Sequence, residues 1–144
     1  TQRRRQRQMC IRDRLETIPS YFSLQENVKF GNLLTSDEMK LLRKETYAEI
    51  IEWYKETEKV KSKLLKKQFI TLTYPQITSD LEKSISLFYK FIGKKMTKKF
   101  QKQVSDYAGR KYIKKHQNKT IEDYGFTKKQ ILSDFDFVYQ KYFV

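Results

Sequence analysis

The sequence predicts an all-α protein, a single-domain helical bundle of three to four main helices with a kink or break near Gly93. Three observations lead there. Apolar residues recur at three- and four-residue steps over three long segments, the period of a helix face turned to a core. A hydroxyl residue followed three positions later by an acid or amide precedes each of them, the pattern of a capping box. The only strand-like run, residues 69–74, has no second run in the remaining sequence to pair with.

Residues 1–14 are set aside first. They hold six of the eight arginines and the only cysteine, Cys10, whereas the remaining 130 residues use 23 lysines and only Arg43 and Arg110. The string resembles translated adapter or vector read-through, so it is excluded as non-native. On that reading the chain is the C-terminal part of a longer protein. Residues 15–34 follow as an irregular N-terminal segment, because Pro19 disfavours helix before it and Gly31 with Asn32 reads as a turn.

Residues 35–144 form the helical bundle domain. Thr35 and Glu38 open a helix that continues to about Lys67, its inward face built from Met39, Leu42, Thr46, Ile50, Trp53, Thr57, Val60 and Leu64. Trp53 and the tyrosines are expected in the core or at its edge. Residues 69–74 are expected as an extended connector whose Phe69, Leu72 and Tyr74 plug the bundle. Ser79 and Glu82 start the next helix near Asp80, with Leu81, Ile85, Phe88 and Ile92 as a tight core stripe. A second stripe, Met96, Phe100, Val104 and Tyr107, is rotated by about 85° from the first, so the chain must turn between them. Gly93 sits at that point. Thr120 and Asp123 begin a short turn that Gly125 stops, and Thr127 and Gln130 begin the last helix, with Ile131, Phe135, Val138 and Tyr142 facing inward.

The charge is concentrated. The whole chain carries +14; without residues 1–14 there are 25 basic against 16 acidic residues, or +9. Residues 79–116 account for +8 of that. The residues expected to contact a polyanion are Lys94, Lys95, Lys98, Lys99, Lys102, Arg110, Lys111, Lys114 and Lys115. The sequence therefore predicts a non-enzymatic helical binding module whose lysine-rich face contacts nucleic-acid phosphates or an acidic protein. The alternative is a protein-interaction or regulatory domain that uses an apolar groove between helices, with the lysines only solvating its surface.

Catalysis has little apparent support. His116 is the only histidine, no glycine-rich phosphate loop is present, and Asp134 and Asp136 lie on different sides of a helix. No cofactor and no metal site are expected. No apolar run is long enough to span a membrane, and the expected location is intracellular, in the cytoplasm.

Overall fold

The computed structural model describes residues 7–30, 33–109 and 119–143. Among them the chain is mostly helical, with seven α-helices and one short parallel sheet of two strands. They gather into two compact units, Thr1–Arg12 with Lys63–Lys115 and Asp13–Ser62 with His116–Val144.

The sheet corrects the all-α expectation. Strand β1 (Arg7–Ile11) pairs in parallel with β2 (Phe69–Thr73), from Arg7 opposite Phe69 to Ile11 opposite Thr73. Residues 69–73 are thus a paired strand and not a connector. Their partner lay in the stretch set aside as non-native, which is why the alternating Phe-Ile-Thr-Leu-Thr run had nothing to pair with. Ile11 is fully buried, and Leu72 and Thr73 are buried beside it in sequence register.

Helix α3 (Tyr74–Ser79) begins where β2 ends. The Gln76 backbone N–H donates to Thr73 Oγ1 at 3.3 Å and the Thr73 N–H donates to Gln76 Oε1 at 2.9 Å, a reciprocal cap. Pro75 lies in the first turn, where its missing N–H costs no helical bond. Helix α4 (Leu81–Phe91) is capped by Asp80, which accepts from the Lys83 N–H at 2.9 Å. The expected stripe of Leu81, Ile85, Phe88 and Ile92 is only half-buried; the buried residue of this helix is Ser84. Its hydroxyl donates to the Gln76 carbonyl at 3.1 Å, and so small a side chain lets α4 approach α3 closely. Periodicity marked the face correctly but carried no information on how deeply a neighbour would cover it.

The break near Gly93 is a Schellman motif. Gly93 has φ +68, its N–H donates to the Lys90 carbonyl, and the Lys94 N–H reaches back to Tyr89. Helix α5 (Lys98–Ala108) starts after it, with Thr97 accepting from the Phe100 N–H at 3.2 Å. Phe100 packs on Tyr89 with ring centroids 5.4 Å apart, and Val104 is buried. Tyr107, expected as the last core residue of this stripe, is 60% exposed.

In the second unit, helix α1 (Arg14–Leu24) replaces the irregular segment expected there. Asp13 caps it by accepting from the Leu15 N–H at 2.9 Å, and the helix runs through Pro19 because Ile18, Pro19 and Phe22 are all buried. Burial of that face outweighs the loss of one backbone bond. A π-helical turn, Gln25–Phe30, follows. Helix α2 (Ser36–Ser62) opens on the expected box, with the Thr35 N–H donating to Glu38 at 2.8 Å and the Glu38 N–H to Thr35 at 3.3 Å. That hydrogen bonding holds the Glu38 carboxyl below its ordinary pKa. The helix stops at Ser62 rather than near Lys67, where a short 3-10 turn, Lys66–Gln68, leads into β2.

The C-terminal segment forms helices α6 (Lys128–Asp134) and α7 (Asp136–Tyr142), divided at Phe135, where one helix was expected. Phe135 is fully buried and meets Tyr47 and Tyr54 edge-on at 6.1 and 5.8 Å between centroids. Phe126 continues the cluster, 4.6 Å from Tyr47 and 5.6 Å from Phe22. Two phenols fasten it: Tyr47 donates to Asp134 at 2.7 Å and Tyr139 to Asp13 at 2.6 Å. Trp53, expected in or near the core, is instead 60% exposed. No helix among the described residues is long and apolar enough to cross a membrane.

Phe135→Ala is therefore expected to cost about 3–5 kcal/mol of unfolding free energy, whereas Trp53→Ala should change it by less than about 1 kcal/mol. Chemical denaturation of the two variants measures this, and equal losses would contradict the core as described.

A pH dependence follows from the end of α2. Glu58 accepts from the Tyr142 hydroxyl at 2.5 Å and pairs with Lys61 and Lys141. Burial raises its carboxyl, but the hydrogen bonds from Lys141 and Tyr142 and the charge of both lysines outweigh that and lower it below 4.5. A carboxyl lowered in the folded state stabilises above its unfolded pKa, and that contribution disappears as pH falls through the folded value. Melting temperature should therefore drop as pH falls below about 4.5, and Glu58→Gln should flatten that part of the profile.

Candidate functional site

The two strands end side by side. In parallel sheets, ligands bind beyond the carboxyl ends of the strands, because the loops that leave there converge on one edge. Here that edge is formed by the residues after Ile11 and Thr73, which face each other in register. Arg12 follows β1 and Tyr74 follows β2. The Arg12 guanidinium lies over the Tyr74 ring, 4.3 Å from its centroid, while Arg12 stays exposed.

This geometry places a cation over a ring at the strand ends. A guanidinium is the side chain best suited to grip sulfate- and phosphate-like groups, because its planar fork can make two parallel hydrogen bonds. The platform is itself held, because Tyr74 is the first residue of α3 and the cap between Thr73 and Gln76 fixes where that helix starts. Sequence reasoning missed Arg12 by excluding residues 1–14. The available clue was Ile11, Arg12 and Asp13 in succession, an apolar strand end, a cation and a helix-capping acid.

The expected lysines divide between two places. Lys98, Lys99 and Lys102 lie on α5, with Lys94 and Lys95 in the connection before it, and all five are exposed. Lys98 and Lys102 border a hollow of about 720 Å³ between α4 and α5. Arg110, Lys111, Lys114 and Lys115, like His116, lie outside the described residues. In the second unit a smaller hollow of about 510 Å³ lies at the start of α2 beside Arg43, but there Glu26 already pairs with Arg43 and stands 3.5 Å from Lys119.

The family model described as Sulfotransferase domain matches residues 9–142. Neither a curated protein nor a solved structure matches the chain. The family match overturns the expectation of a non-enzymatic module that binds nucleic acid: charge density reports only the sign of what a surface attracts, whereas the match covers almost the whole chain and denotes an enzyme. The match also begins inside the stretch set aside as non-native and takes in Cys10, Ile11 and Arg12. The chain belongs to the sulfotransferase-domain family.

Proposed function

We propose that the chain carries part of the active centre of a sulfotransferase, and that Arg12 at the carboxyl edge of β1 and β2 contacts the anionic sulfuryl donor. The observation that carries this reading is the guanidinium lying over the Tyr74 ring at the strand ends, in a chain whose family match runs across both strands. In sulfuryl transfer an acceptor lone pair attacks sulfur as the bond from sulfur to the leaving oxygen breaks. Negative charge builds on that oxygen. A donor reactive enough for this has a good leaving group, such as the phosphate of a mixed sulfate–phosphate anhydride, so both ends of the breaking bond are anionic. A fixed cation beside them stabilises the developing charge without having to reorganise.

The continuous match from residue 9 to residue 142 also supports reading the two compact units as parts of one domain, with three to four main helices and the small sheet. Parallel strands are characteristic of sheets covered by helices, and α3 and α4 both contact β2.

Arg12→Ala should lower sulfuryl transfer from a mixed-anhydride donor by about 10²–10³-fold, the loss typical of removing one charge-stabilising donor. Arg12→Lys should recover only part of it, because an ammonium keeps the charge but lacks the planar fork. Circular dichroism would confirm that each variant is folded, and unchanged transfer by a folded Arg12→Ala variant would refute the assignment.

A further inference from the structure

The lysines of α4 and α5 differ from most of those on α2 in one respect that composition does not show. On α2, four of the five lysines, Lys40, Lys55, Lys59 and Lys61, pair with a carboxylate three residues away, and Lys44 does not. Lys94, Lys95, Lys98, Lys99 and Lys102 form no ion pair among the described residues. Across residues 81–109 seven lysines face only Glu82 and Asp106. Both of those carboxylates border the hollow between α4 and α5, as do Lys83, Lys98 and Lys102.

We infer that this hollow docks an extended acidic segment of a partner polypeptide. The unpaired lysines supply charge complementarity. Lys98 and Lys102 stand four residues apart on one helix, which places them about 6 Å apart along its axis. An extended chain repeats its side-chain direction about every 6.6–6.8 Å, so acids at alternate positions meet the two lysines in turn. Met96 and Val104 give the hollow an apolar part. The two carboxylates have a use as well: Glu82 and Asp106 can accept hydrogen bonds from backbone N–H groups, which a polypeptide carries along its whole length.

This surface does not depend on the assignment of Arg12, and its test needs no sulfuryl donor. Fluorescence anisotropy with a labelled peptide alternating Glu and Val, at low and at physiological ionic strength, should show binding that weakens with salt. In Lys98→Ala/Lys102→Ala the affinity should fall about tenfold, the loss expected from two exposed ion pairs. Arg12→Ala should leave it unchanged. Both lysines are exposed, and circular dichroism of the double variant would confirm its fold. Undiminished binding by that folded variant would overturn the proposal. So would a uronic-acid oligosaccharide of equal charge binding as tightly as the peptide, because the face would then be selecting charge and not a polypeptide.

Discussion

Pairing between β1 and β2 is the constraint on which the first unit depends. Five residues on each side align so that Ile11 stands opposite Thr73, and a two-stranded sheet of that size is marginal without cover. Cover comes from what β2 leads into. Thr73 is both the last residue of the strand and the cap of α3, so the strand end and the helix start are a single piece of backbone. Ser84 then draws α4 onto the Gln76 carbonyl. The same pairing sets Arg12 and Tyr74 next to each other, although 61 residues separate them in the chain. The cation–π stack is thus a consequence of strand register: a slip of one residue would turn the side chains to opposite faces and dissolve it.

Local features of this fold were legible in the sequence, and long-range ones were not. Thr35 with Glu38, Thr127 with Gln130 and the turn stopped by Gly125 are capped as read, because a capping box is decided within four residues. The break at Gly93 was legible for the same reason, since two stripes out of phase need a reversal and only glycine adopts φ +68 without strain. Depth was not legible. Leu81, Ile85 and Phe88 have the right spacing for a core but are only half-covered, while Ser84 is buried. Trp53 lies on the apolar side of α2 by period and is still largely exposed. Periodicity states which way a face points and leaves open what arrives to cover it.

The sheet and the candidate site failed together, from one cause. A parallel pair can be recognised only when both strands are under consideration, since its partners are joined by a long crossover and no tight turn advertises them. With residues 1–14 set aside, the Thr-rich run at residues 69–73 lost its partner and Arg12 was never weighed as a site. The arginine-rich usage that made the stretch look foreign includes Arg12, which follows β1 at the carboxyl edge of the sheet.

Charge acquires meaning here from how each cation is held, and not from its total. Glu52 and Glu56 neutralise Lys55 and Lys59 on α2, so those lysines shape the solvated side of a helix and little more. Lys61 is placed differently: it is half-buried between Glu58 and Tyr142, where loss of solvation lowers its pKa and its amine serves to tie α2 to α7. Arg12 lies over the Tyr74 ring beside the strand ends. Among the described residues Lys98 and Lys102 are neither paired nor stacked, and they border a hollow that contains two carboxylates of its own. A net charge of +14 describes all of these cations equally. Only the contacts separate a cation held over a ring at the strand ends from those paired along a helix and those left beside a hollow.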